Sequence, residues 1–291
     1  MNVRMFFKYF IITFLIACIP AAGSFYYLFS HESVGQEVSK DVVEALDEVE
    51  ASHTRRNILL IGVDKSGALA DVMMICSFST KGEDMHLMSI QRDTWVTVNG
   101  KGRKINEVLQ LGEDVLIQEV RETTGIPIHD YVRVNFKAVK TVVDTLGGVD
   151  FYVPQNMDYE DPEQDLYIHL QEGQQRLNGD KALQLLRFRS GYAMADIQRT
   201  KVQRDFMTAM FEQHAKIQNI GNVKAVYDAV EQYVASNVTY GDVLEYAGMA
   251  AGVEIQTFAM PYMEEELGSS GRVLVDDAKM KEIAETYFAE E

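Results

Sequence analysis

The sequence predicts an α/β fold: a three-layer α/β/α domain with a mixed central sheet, preceded by a single N-terminal transmembrane helix. Three observations carry this reading. Short apolar runs of strand length alternate with amphipathic helical stretches through most of the 291 residues. Two of those runs are joined by only a short polar turn, which makes them an antiparallel pair. Residues 9–29 hold no charged side chain at all.

That N-terminal stretch, "YFIITFLIACIPAAGSFYYLF", would be roughly 31 Å long as a helix, about the thickness of a bilayer core. Arg4 and Lys8 precede it and acidic residues follow it. The positive-inside rule then makes residues 1–8 cytoplasmic and puts the remainder outside. A cleaved signal peptide ending near "PAAGS" and a lipobox, "LIAC", with Cys18 lipidated are the rival readings. The return of apolar residues at Phe25–Phe29 favours an anchor that stays. Residues 30–56 are polar and acidic and read as an extracytoplasmic stalk.

The domain is expected over residues 57–291. "NILLIGV" (57–63) is a buried-strand run, Asp64 and Gly67 mark a loop, and "DVMMICSF" (71–78) and "DMHLMSI" (84–90) form the hairpin. A helix is expected from Glu113 to Thr124, closed by Gly125. "YVRVNF" reads as a strand, "FKAVKTVVDTL" as an amphipathic helix and "VDFYV" as a strand stopped by Pro154. Residues 155–172 read as acidic and irregular. "LNGDKALQLLRFR" reads as a helix capped near Asn178 that becomes extended at Arg187–Arg189. A long helix from about Asp196 to Gln218, two further helices and the strand "EIQTFAM" complete the chain.

Composition narrows the function. At 47% hydrophobic the chain holds enough apolar residues for a sizeable core. A formal net charge of −17 excludes nonspecific nucleic-acid binding, which needs a basic surface. A local basic pocket remains compatible with that charge. The two cysteines, Cys18 and Cys76, lie in unrelated contexts and read as unpaired. Phosphate-loop, nucleophile-elbow and zinc-protease motifs are absent, and the six histidines lack metal-ligand spacing.

The arginines carry the signal. In "LMSIQRDTWV" an apolar strand delivers Arg92 and Asp93 together at its tip, and Asp71 begins the neighbouring strand. Arg187 and Arg189 point to one side of an extended segment. Asp196, Arg199 and Gln203 share one helix face, and Lys104 lies close by in sequence. Such a group suits a phosphate or pyrophosphate, since arginine binds phosphate through two hydrogen bonds and keeps its charge. Carboxylates among them suit Mg²⁺ bridging to the same oxygens. Ordinary salt bridges on element ends are the other reading of the same residues.

The blocks "SIQRDT", "KIN", "GIPIHDYVRVNF", "VVDTLGGVDFYVP", "LNGDKALQLLRFR" and "DIQRTKVQ" resemble, in order, those of the LytR-CpsA-Psr family. The resemblance implies a phosphotransferase at the outer face of a Gram-positive membrane. It would move an anionic glycopolymer from a polyprenyl-pyrophosphate carrier to peptidoglycan through a phosphodiester, with Mg²⁺ (or Mn²⁺) and a hydrophobic pocket for the lipid. On this resemblance Arg92, Lys104, Arg187, Arg189, Arg199 and Gln203 would bind pyrophosphate. Asp71 and Asp93 would hold the metal, Asp93 and Arg92 would act in catalysis, and Asp196 would support them. Val139, Val142, Val143, Leu183 and Leu186 are candidate lipid contacts. The chain departs from the family pattern at Leu69 and Val202, where arginines are expected, and at Val72, Gln91 and Ser190. These losses keep open an alternative: a catalytically weak pyrophosphate- or wall-polymer-binding, or regulatory, protein.

Overall fold

A computed structural model describes residues 33–35, 39–47, 54–64, 66–164, 166–189, 195–215, 223–250, 252–263 and 272–289. The anchor expected at 9–29 and Cys18 lie outside these residues. No helix among the described residues is long and apolar enough to cross a membrane.

Among the described residues the main sheet has seven strands, in the order β1 (Ser33–Gly35), β12 (Val234–Thr239), β7 (Asp130–Val134), β2 (Arg55–Val63), β3 (Ala70–Ser79), β4 (Met85–Ile90) and β13 (Ile255–Ala259). It is mixed: β7 runs parallel to β2 and β13 parallel to β4, while the other pairings are antiparallel. The expected β3–β4 hairpin is present, with Met73 opposite Ile90.

Strand alternation builds two cores. Leu59, Ile61, Met73, Ile75 and Met88 face α2 (Glu113–Thr124), which contributes Leu116, Ile117 and Val120. Ile58, Met74, Cys76 and Leu87 face the opposite layer, against Met207 and Phe211 of α5 (Ala195–His214). Because successive strand residues point to opposite faces, unbroken apolar runs produce a sheet covered on both sides. Burial pushes the Cys76 thiol up to about 12, so it stays protonated within this core. A separate cluster, Val149, Ile168, Leu177, Leu185 and Phe206, joins the small sheets to α4 (Gly179–Arg187) and α5.

Local signals fixed several boundaries. Gly125 takes a left-handed φ of 68° and ends α2. Asn135 caps α3 (Phe136–Thr145) by accepting from the Ala138 amide, and Asn178 caps α4 by accepting from Lys181. The strand read as "YVRVNF" therefore stops at Val134, one residue before the cap.

Two expectations change. Part of the stalk segment belongs to the domain: β1 pairs with β12, and α1 (Lys40–Asp47) buries Val42 and Leu46 in the first core. Arg121 donates to the Ala45 carbonyl at 2.8 Å and holds α1 on α2. Apolar residues at Val42 and Leu46, four apart on one helix face, explain this despite the acidic composition. The second change concerns residues 155–172, which contain a hairpin of β9 (Met157–Asp161) and β10 (Leu166–Leu170). Leu166, Ile168 and Leu170 are buried while Tyr167 and His169 face outward, a strand alternation hidden by the surrounding acidic residues.

Candidate active site

One end of the sheet gathers the predicted charges. Val63 ends β2, Val134 ends β7, Ala70 begins β3 and Ile90 ends β4, so the loops at this end lie side by side. The Arg92–Asp93 turn leaves β4 here and is held from several directions. Gln91 is buried and its Nε2 donates to the Met260 carbonyl at 2.9 Å. The Thr94 hydroxyl donates to the Gln91 carbonyl at 2.6 Å, and the Asn106 amide donates to the Arg92 carbonyl at 3.3 Å. The charged pair thus sits on a braced turn, which is what distinguishes a site from a solvated strand end.

Arg92 Nη1 donates to Asp71 Oδ1 at 2.7 Å, and Arg189 Nη2 donates to Asp71 Oδ2 at 3.2 Å. Asp93 Oδ1 lies 2.8 Å from Lys104 Nζ and 3.9 Å from Arg92 Nε. Arg187 stacks over Phe136, with its guanidinium carbon 4.7 Å from the ring centroid. Phe188 between the two arginines is buried in the core, so Arg187 and Arg189 share a side of the chain. Arg199 is buried, and Gln203 donates to the Leu186 carbonyl at 3.0 Å, tying α5 to the end of α4.

Asp71, Arg187, Arg189, Arg199 and Gln203 line a single cavity of about 800 Å³. The cavity is also walled by apolar side chains, those of Val72, Val134, Phe136, Val139, Leu183 and Leu186. Of the candidate lipid contacts, Val139, Leu183 and Leu186 are among these. Val143 is instead in the α4–α5 core, and Val142 packs with Ala138, Val230 and Val234. Arg92 reaches the cavity through Asp71. Asp93 and Lys104 form their own pair beside it and are not part of its lining. Asp196 lies on α5, with its side chain outside the described residues.

Asp64 is the lining residue that sequence reading treated only as a loop marker. Burial opposes its charge, but the Ser66 hydroxyl and the Leu69 and Ala68 amides bond to it and hold its carboxyl below the usual range. Asp64 and Asp71 therefore present two carboxylates to one cavity. Phe136, Tyr159 and Glu163 also line it without having been singled out. An aromatic at a helix start and residues inside an acidic stretch carry no signal of their own in the sequence.

The departures from the family pattern have distinct consequences. Val202 is buried beside Phe206 in the α4–α5 core, so that position packs the domain and is not on the cavity wall. Leu69 is half-buried at the edge of the Asp64 loop. Lys201 pairs with Asp205, and Arg204 donates to the Ser89 hydroxyl at 2.7 Å. Neither of these two cations lines the cavity.

The comparisons with known proteins agree with this architecture. The model of the LytR_cpsA_psr family matches residues 25–288. A Bacillus mycoides protein named polyisoprenyl-teichoic acid–peptidoglycan teichoic acid transferase TagU is 32% identical over 189 residues, 63% of this chain and 60% of that protein. Its Bacillus anthracis namesake is 30% identical over 216 residues, 72% of this chain and 65% of its own length. The chain thus spans a little under two thirds of these relatives. Among solved structures, Bacillus subtilis TagV superposes with a TM-score of 0.69 at 23% identity, over 81% of this chain and 96% of that one. A TagT structure bound to LIIa-WTA gives 0.65 at 20% identity, over 88% and 95%. On sequence and fold together, the chain belongs to the LytR_cpsA_psr family.

Proposed function

We propose that this protein transfers an anionic glycopolymer from a polyprenyl-pyrophosphate carrier to peptidoglycan, forming a phosphodiester at the outer face of a bacterial membrane. The observation that carries this is the cavity itself, which is lined by both arginines and aliphatic side chains. An amphiphile with a doubly charged head and an isoprenoid tail matches both kinds of lining. The names of the relatives, which specify teichoic acid and peptidoglycan, support the same substrate class.

Arg187, Arg189 and Arg199 would hold the pyrophosphate, with Phe136 fixing the Arg187 plane. Arg92 would leave Asp71 to reach the polymer-side phosphate. An acceptor sugar hydroxyl attacks that phosphorus, the bond to the bridging oxygen breaks, and polyprenyl phosphate departs. Asp93 takes the hydroxyl proton from its place beside Arg92. Most of the rate comes from positioning and charge neutralisation. Asp71 and Asp64 line the same cavity as the arginines and offer the hard oxygen donors that Mg²⁺ prefers. When bound there, the ion would supply charge neutralisation at the phosphate oxygens.

The test is transfer of a lipid-linked polymer by the full-length chain. Arg187→Ala and Asp71→Ala are each expected to lower transfer by about a hundredfold or more. Transfer that survives both substitutions would end this reading. A wall-polymer-binding protein with weak transfer is the second reading. It is favoured by one observation, the aliphatic Leu69 where the family pattern has a cation, and it predicts tight donor binding with little product.

A further inference from the structure

Outside the cavity, a second run of cations continues from the same site. The chain is strongly acidic overall, yet residues 92–104 carry four basic side chains and one acidic one. They fold as a hairpin of β5 (Trp95–Val98) and β6 (Lys101–Lys104), with Trp95 opposite Lys104 and Val98 opposite Lys101. Paired residues share a face, so Trp95, Thr97, Gly102 and Lys104 lie together on one side of the hairpin. Gly102 is required there: a Cβ would come within 2.6 Å of the Trp95 ring.

Arg272 is brought to this face from a distant part of the chain. Val273 donates to the Asp93 carbonyl at 3.1 Å and accepts from the Trp95 amide at 2.8 Å. Those two bonds place the Arg272 guanidinium 3.8 Å from the Trp95 ring centroid, while the side chain stays exposed. A stacked guanidinium keeps its N–H edges free in the plane of the group, so the ring orients Arg272 without consuming its donors. The contacts are continuous. Arg189 and Arg92 share Asp71, Arg92 and Lys104 flank Asp93, and Lys104 lies opposite Trp95 under Arg272.

The geometry points to the Trp95 hairpin as a track for the anionic repeats of the donor glycopolymer, running outward from the phosphate site over Lys104 and Arg272. The inference rests on the donor reading of the cavity. A polymer with a phosphate or carboxylate in each repeat would meet a cation at each step, whereas a neutral glycan would gain nothing from the same surface.

The test uses the full-length chain in mild detergent with two probes: lipid-free poly(glycerol phosphate), and farnesyl pyrophosphate for the cavity. Thr97→Glu combined with Arg272→Glu, both exposed positions on the Trp95 face, is expected to weaken polymer binding by about tenfold and to flatten its salt dependence. Farnesyl pyrophosphate affinity should move by less than about twofold. Unchanged polymer affinity in the double variant, with the pyrophosphate still held, overturns the track alone. Equal binding of neutral dextran by the native chain overturns it too. Failure of the native chain to bind farnesyl pyrophosphate removes the donor reading and the track with it.

Discussion

The two ends of the central sheet use the same residue types for opposite purposes. At one end Arg56 bonds Asp130 at 2.8 and 3.2 Å, and Asp130 also accepts from Asn237 at 2.8 Å and from Tyr246 at 2.9 Å. Burial opposes the Arg56 charge, but Asp130 outweighs it and raises the arginine pKa; burial and then Asp130 raise that of Tyr246. Beside it Arg55 pairs with Asp84 and donates to the Tyr287 carbonyl at 3.2 Å. At the other end Asp71 is shared by Arg92 and Arg189, and Arg189 is half exposed beside an 800 Å³ cavity. An arginine–aspartate pair whose other acceptors are filled by protein is a joint. The same pair at the edge of a cavity can exchange its carboxylate for a phosphate.

The largest effect that separates the ends is on stability. Asp130→Ala would strand Arg56 and Tyr246 and is expected to cost about 3 kcal/mol, the low side for a buried pair because Arg56 keeps some solvent contact. Urea unfolding checks this, and a loss below about 1 kcal/mol would erase the distinction between the ends. Arg92→Ala, at the open end, should lower transfer about a hundredfold while changing stability by less than about 1 kcal/mol. Parallel transfer and unfolding assays decide whether the two losses separate as expected.

Val202→Arg sharpens the contrast from a third position. It restores an arginine that the family pattern expects, yet the site is core. The expected result is a loss of about 2 kcal/mol with no gain in pyrophosphate affinity. Tighter donor binding in this variant would put residue 202 back in the site.

The smallest effect is a pH dependence at the closed end. Burial above all, with the Arg55 charge, holds the His86 imidazole below its usual pKa against the opposing pull of the Tyr287 carbonyl and Asp84. Near pH 6 the unfolded chain binds more protons at this position than the folded one. Stability is therefore intact above about pH 6.5 and declines as the pH falls. Urea midpoints for the native chain and His86→Gln, compared between about pH 7.5 and 5.5, should show a shallower decline in the variant. Equal slopes would remove His86 from the account.

Much of the architecture was readable because its causes are local. The β3–β4 hairpin follows from two apolar runs and a five-residue polar turn, and the limits of α2 and α4 follow from Gly125 and Asn178. The Arg187–Arg189 pair was legible for the same reason, since two-residue alternation sends both to the side opposite Phe188. The β9–β10 hairpin and the docking of α1 were not, because their apolar residues are diluted by acids and acquire meaning only against a partner surface.

By itself, the sequence determined the α/β layering, the basic residues available for phosphate and the family resemblance, since periodicity, capping and motif order are properties of neighbouring residues. Only the tertiary structure decided which charges meet. It put Asp64 on the cavity wall, paired Asp93 with Lys104, sent Val143 and Val202 into the core and set Arg272 over Trp95. Each of these depends on contacts between segments far apart in the chain, and burial, charge pairing and cavity shape arise only once those segments pack.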